Sequence, residues 1–278
     1  MESTLTQRLA TLSHPSRMAI FRLLMRRYPD AMTAGHILSA LDLKPSTASA
    51  YLSALTMAGL IGQKRAGTTL YYRIDMGAAR KVVSELFDDC CRGRPDLCPP
   101  SLAPGETAGA ATPDRPLNVL FVCSGNSARS IMAEAILNDL SGARFNAFSA
   151  GTRPATAANA EAMQILSDKG HDVSALKPKA LSRFQGSGAP EMDFVFTLCD
   201  LAANEDCSIW PGQPISAHWG MPDPAIAHGT EAERKLEFQE TYGALANRIS
   251  AFCALPLSTL TRASLQTGLD AIATPKGT

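Results

Sequence analysis

The sequence predicts two domains of different class: a mostly helical first part that ends in a β-hairpin, and an α/β second part built on a parallel sheet. Three observations carry this. Apolar residues recur at helical spacing from Leu5 to Leu60 and then give way to two strand-like runs around Ala66-Gly67. From residue 117 onward, strand and helix patterns alternate. Between the two, residues 93–116 hold six prolines and three glycines and little that can pack, the composition of a linker. The expected organisation is therefore 1–92, a linker at 93–116, and 117–278.

In the first part, "TLTQRLATLS" and "PSRMAIFRLLMRR" read as helices, with Pro15 suited to a first helical turn. "TAGHILSALDL" is a short helix, followed by a break at "KPS" and a second helix, "TASAYLSALTMAGL", stopped by Gly59. This has the shape of a helix-turn-helix, with Leu52, Leu55 and Leu60 facing inward and Thr47, Ser49 and Tyr51 at exposed positions able to enter a major groove. "IGQKRAGTTLYYRID" makes a wing whose Lys64 and Arg65 can hold phosphates. "GAARKVVSELFDDCC" is a last helix, weakened by Gly93 and Pro95. In the second part "LNVLFVC" is a buried parallel strand, "ARSIMAEAILNDL" an amphipathic helix, "FNAFSAG" a strand and "NAEAMQILSDKG" a helix. "MDFVFTLC" and "ISAHWG" are strands, and the helix from Glu231 to Pro256 closes the domain.

The hydrophobic fraction of 45% is that of a globular protein. No apolar run approaches the ~18 residues of a membrane helix, and "MESTLTQRLA" lacks the pattern of a secretory signal. The expectation is a soluble cytoplasmic protein without a membrane partner. In that compartment clustered cysteines bind metals or do redox work. Residues 1–88 carry 11 Lys and Arg against 6 Asp and Glu, whereas 117–278 carry 12 against 16, so the basic part is the one to meet nucleic acid.

"VLFVCSGNSARSIMAE" holds the chemistry. It places Cys123 at the carboxyl end of a strand, Arg129 six residues on, then Ser130 and a helix. A loop from Ser124 through Gly125, Asn126, Ser127 and Ala128 to Arg129 can turn successive N–H groups toward one anion, beside the positive end of a helix dipole. Arg129 adds a bidentate fork, and the same field favours a nucleophilic thiolate at Cys123, with Ser130 able to hydrogen-bond it. Gly125 and Asn126 tolerate the left-handed backbone that a tight cradle needs. Asp223, held extended by Pro224, can protonate a leaving oxygen. Cys199 ends a strand whose carboxyl edge is that of Cys123, and Cys207 follows eight residues on.

The stretch "CSGNSARS" resembles the low-molecular-weight protein tyrosine phosphatase superfamily, and "SAGT", "KPK", "FVFTLCD" and "AHWGMPDP" resemble its arsenate reductase branch, over about 117–252. The resemblance implies a four-stranded flavodoxin-like sheet with Asp223 as general acid. It also implies a relay in which Cys123 attacks arsenate, Cys199 attacks Cys123, and Cys207 then attacks Cys199. No tightly bound cofactor is implied. The reductant is external, thioredoxin or glutathione with glutaredoxin. Ala128 stands where phosphatases of the family often carry a second cysteine. Two alternatives remain open: a tyrosine phosphatase, or a non-catalytic oxyanion sensor.

In the first part, "SHPSRMAIFRLL", "STASAYLSALTMAGLI" and "GTTLYYRID" together resemble the ArsR-type metalloid-responsive repressors over about 5–92. That implies a winged-helix homodimer on operator DNA. Cys90, Cys91 and Cys98 match one location at which this family places inducer thiols. Three soft sulfurs, with no histidine between residues 37 and 170, suit arsenite better than four-coordinate zinc.

Overall fold

A computed structural model describes residues 2–86, 115–186, 188–205, 214–227 and 229–274, and the chain divides into two units, Met1–Thr107 and Ala108–Thr278. Cys90, Cys91, Cys98 and Cys207 lie outside the described residues. Among the described residues no helix is long and apolar enough to cross a membrane.

The first unit runs α1 (Glu2–Leu12), α2 (Pro15–Arg26), β1 (Met32–Thr33), α3 (Ala34–Leu41), α4 (Pro45–Met57), β2 (Ile61–Ala66), β3 (Thr69–Ile74) and α5 (Met76–Glu85). Its helices start where local chemistry satisfies the first N–H groups. Pro15 and Pro45 open α2 and α4. The His14 ring, Thr33 and Asp75 accept backbone N–H bonds at the starts of α2, α3 and α5. The α3–α4 turn passes through Asp42 in left-handed conformation, and α4 ends at Gly59, also left-handed. Ile20, Leu23, Leu24, Ile37, Leu52, Leu55 and Leu60 are fully enclosed and form one core. The hairpin pairs Ile61 with Ile74 through Ala66 with Thr69, so its tip is Gly67-Thr68. The two-residue β1, too short for any sequence period, pairs with β3 and completes a sheet of order β1-β3-β2. This is a winged helix-turn-helix.

The second unit runs β4 (Leu117–Cys123), α6 (Arg129–Ser141), β5 (Phe145–Gly151), α7 (Ala160–Asp168), β6 (Phe194–Thr197), α8 (Asp200–Asn204), β7 (Ile215–His218), α9 (Glu231–Cys253) and α10 (Arg262–Ala273). All strands are parallel, in the order β5-β4-β6-β7, a flavodoxin-like α/β arrangement. Central β4 is buried from Asn118 to Cys123, as a strand covered on both faces must be. The chain steps from β4 to β5 on one side, then crosses back to β6 on the other. The carboxyl end of β4 is therefore the switch point where such sheets open a crevice. An aromatic cluster of Phe121, Phe196, Trp219 and Phe252 fills the core under this edge. Phe196 and Trp219 stack at 4.1 Å.

The sequence reading assigned no element after Pro256, yet α10 is present. It shields the outer edge of β7: Gln266 Nε2 donates to the Ser216 carbonyl (2.9 Å) and Trp219 Nε1 to that of Leu269 (3.3 Å). Leu265, Leu269 and Ala273 are buried beneath it.

Candidate active site

Cys123 leaves β4 fully enclosed, and the chain turns at once through Ser124–Ala128 into α6. The orientation of this loop follows from who takes its carbonyls. Thr152, Arg153, Ala155 and Asn159 donate backbone N–H bonds of 2.8–3.1 Å to the carbonyls of Cys123, Ser124, Gly125 and Ser127. With the carbonyls drawn toward the segment after β5, the N–H groups of the same peptide units face the other way, that of Asn126 toward Cys123 Sγ. Ala128 offers α6 no side-chain cap, so the first N–H groups of that helix take no bond from an N-cap side chain. Gly151 makes the close approach possible. A Cβ there would stand 2.7 Å from the Ser124 carbonyl oxygen and 3.0 Å from Asn126 N.

One buried residue organises the loop. Asn126 is fully enclosed and is the left-handed residue (φ 44°); Gly125, expected to share that role, is not in that region. The Asn126 backbone N–H donates to Cys123 Sγ (3.2 Å). Its Oδ1 accepts from the Lys179 backbone N–H (2.6 Å), which fixes the amide orientation because that N–H can only donate. Nδ2 must then donate to both Ser130 Oγ and Ser149 Oγ, each at 2.8 Å. Ser149 donates its own proton to Glu134 Oε2, and Ser130 Oγ lies 2.9 Å from Cys123 Sγ, where it is the donor whenever the sulfur is ionised. Lys179 Nζ neutralises Glu134 at 2.8 and 3.1 Å. The sulfur therefore accepts from the Asn126 N–H and has the Ser130 hydroxyl within hydrogen-bond reach.

Arg129, 7% exposed, opens α6 and points across the mouth. Nη1 donates to the Met221 carbonyl (3.1 Å) and Nη2 to Asp223 Oδ2 (2.5 Å). Asp223 is extended, as the following proline requires, and its other oxygen accepts from Ala225 N–H (3.1 Å). A second thiol, Cys199, stands at the same edge. Leu198 still hydrogen-bonds Val122 of β4 (2.8 Å), and Cys199 emerges two residues beyond the end of β6, the strand that flanks β4. It is 4% exposed and caps α8, its Sγ accepting from Ala202 N–H (3.4 Å). Burial pushes the Cys199 thiol up. The Ala202 N–H, the Arg129 charge and the Ser124 N–H pull it partly back, while a charge on Cys123 opposes ionisation.

Thus the structure brings Cys123, Ser124, Gly125, Asn126, Ser127, Ala128, Arg129, Ser130, Asp223 and Cys199 to one edge of the sheet. Ser149, Glu134 and Lys179 were not singled out from sequence. They lie within "SAGT", "VLFVCSGNSARSIMAE" and "KPK", and nothing local says that these side chains meet. In the first unit Thr47 and Ser49 on α4 are exposed, as are Lys64 and Arg65 on the wing. Tyr51, expected to be exposed, is half-buried. Its ring lies on His14 (4.7 Å between centroids), because α4 turns that position toward α2. Cys253, on α9, packs against the core, and burial raises its thiol.

Residues 12–62 match a helix-turn-helix domain family, and residues 118–264 match the family described as low molecular weight phosphotyrosine protein phosphatase. The second unit is similar to the arsenate reductase of Bacillus subtilis (strain 168), 34% identical over 134 residues, which cover 48% of this chain and 93% of that protein. The arsenate reductase of Bacillus licheniformis is 35% identical over the same length and shares. A solved arsenate reductase from Archaeoglobus fulgidus is 25% identical, covers 48% of this chain and 98% of its own, and superposes with a TM-score of 0.37. By the family match over more than half its length, the chain belongs to the low molecular weight phosphotyrosine protein phosphatase family, with a helix-turn-helix domain joined ahead of it.

Proposed function

We propose that the protein is an arsenate reductase fused to an arsenite-responsive transcriptional repressor. The observation that carries the enzymatic half is the second thiol. A phosphatase needs one cysteine, an acid and water, whereas here Cys199 is held at the same oxyanion cradle, within the fields of Cys123 and Arg129. The 34–35% identity to arsenate reductases supports the same reading.

Cys123 attacks arsenate lying on the loop N–H groups and Arg129. An arsenic–sulfur bond forms, and one oxygen leaves as water with a proton from Asp223. Cys199 then attacks the Cys123 sulfur. A disulfide forms, and the electron pair of the broken sulfur–arsenic bond stays on arsenic, so As(V) leaves as arsenite while two thiols are oxidised. Cys207 attacks Cys199 and frees Cys123, and an external dithiol, thioredoxin or glutathione with glutaredoxin, reduces the remaining disulfide. Arg129 pairs with Asp223, so an oxyanion that takes the guanidinium frees the carboxylate, which picks up a proton before delivering it to the leaving oxygen. The first unit binds operator DNA as a homodimer through Thr47, Ser49, Tyr51, Lys64 and Arg65. It lets go when arsenite gathers Cys90, Cys91 and Cys98.

The test is DNA binding by the reduced protein, with arsenite, or with arsenate plus a thioredoxin system. Arsenite alone is expected to release DNA. Arsenate is expected to do so only with the reductant and an intact Cys123. Cys199→Ser is expected to abolish arsenate turnover, and robust phosphoester hydrolysis surviving in that variant would instead favour the phosphatase.

A further inference from the structure

We propose that His218 is a positioning residue for the second thiol, Cys199, an inference that rests on the reductase reading. His218 ends β7, with its side chain fully enclosed, and stands directly opposite Thr197 in the parallel register of β6 and β7. Its Nδ1 meets Thr197 Oγ1 at 2.9 Å. On its other side Nε2 faces Asp200 Oδ1 at 3.8 Å. Thr197 and Asp200 flank Cys199 in the chain, two residues before it and one after. A single imidazole therefore brackets the segment that carries the thiol.

The bracket has a firm base. Trp219, the next residue, donates its backbone N–H to the Thr197 carbonyl (2.8 Å), and its ring stacks on Phe196. His218 thus belongs to the rigid sheet, whereas Asp200 opens the five-residue α8 and has a largely exposed side chain. Cys199 joins the two. Sulfur-on-sulfur attack demands near-linear approach along the bond being broken, so a small displacement of Cys199 costs rate without affecting oxyanion binding at Cys123. The groups that serve the first thiol have anchors of their own, Asn126 on Ser130 and Ser149 and Arg129 on Met221 and Asp223, and remain in place when His218 is replaced.

The experiment uses the full chain in a Cys207→Ser background, where oxidation stops at the Cys123–Cys199 disulfide. Diamide serves as oxidant: its diazene takes two electrons and two protons as the two thiols join. Peptide mass spectrometry follows the disulfide. Iodoacetamide trapping of Cys123, with and without inorganic phosphate, reads the cradle separately. His218→Ala is expected to slow the disulfide at least tenfold, leaving Cys123 trapping and its protection by phosphate within twofold of the parent. His218→Asn, whose amide can take the Nδ1 position, is expected to recover part of the rate. Thr197→Val is expected to slow it at least threefold. A parental disulfide rate in His218→Ala overturns the proposal, as does an equal fall in both readouts. If that variant does not fold, a parental rate in Thr197→Val overturns it. A parent chain that forms the disulfide with diamide and never with arsenate removes the reductase reading, while the variants still decide the role of His218.

Discussion

Replacing Asn126 by aspartate changes one NH2 group to an oxygen and almost no volume, yet it reverses the polarity of the buried network. Oδ1 can still accept from Lys179 N–H. The other position, which donates to Ser130 and Ser149, becomes an acceptor facing two hydroxyl oxygens at 2.8 Å. Ser130 then turns its proton to the new carboxylate and withdraws it from Cys123 Sγ. A hydrogen bond to a charged group is worth about 1.5–3 kcal/mol, so nucleophilicity is expected to fall about tenfold to hundredfold. The assay is the second-order rate of Cys123 alkylation by iodoacetamide at pH 7, without oxyanion. Ser130→Ala removes the same donor and is expected to give a similar drop. The double variant is expected to be no slower than either single one, because both substitutions delete one interaction. A parental rate in Asn126→Asp, or drops that add in the double variant, would refute the directional network.

The remaining expectations concern packing, pH and DNA. Gly151→Ala forces backbone apart at the Ser124 carbonyl and is expected to cost about 1–3 kcal/mol in denaturant unfolding, together with the protection of Cys123 by phosphate. Unchanged protection would mean that the loop does not rest on β5. Burial favours the neutral Cys199 thiol, so its thiolate fraction at any given pH is smaller than that of a free cysteine. Its alkylation profile is expected to lie at higher pH, and higher still in Arg129→Leu, which removes a lowering charge. An ordinary profile in both proteins contradicts the placement of Cys199. Leu269→Ala, in the enclosed seam between α10 and the sheet, is expected to destabilise the second unit by about 2–5 kcal/mol, read by chemical denaturation. Replacing both Lys64 and Arg65 by alanine is expected to weaken DNA binding and to flatten the dependence of log K on log salt by about 2, since each phosphate contact contributes about 0.9. A parental slope would take the wing off the DNA.

Much of this was written in local pattern. The unbroken apolar run "LNVLFVC" required a strand buried on both faces, and the strand–Cys–loop–Arg–helix order was legible because backbone geometry at a strand end and a helix start is a local matter. Helix starts at Pro15 and Pro45 and the hairpin around Gly67 were legible for the same reason. Elements without a period of their own were not. The two-residue β1 exists because β3 offers it an edge, and α10 matters because the edge of β7 needs covering. Side-chain meetings across the sheet were also out of reach. Asn126 joins Ser149 23 residues away and Lys179 53 away, and His218 reaches Thr197 across 21. By itself, then, the sequence determined the two fold classes and placed Cys123 and Arg129 at either end of one loop, since these depend on neighbours along the chain. Only the tertiary structure decided that Ser149 and Lys179 close on Asn126 and what stands beside Cys199, because parallel strand register, set by the packing of the whole sheet, chooses those neighbours.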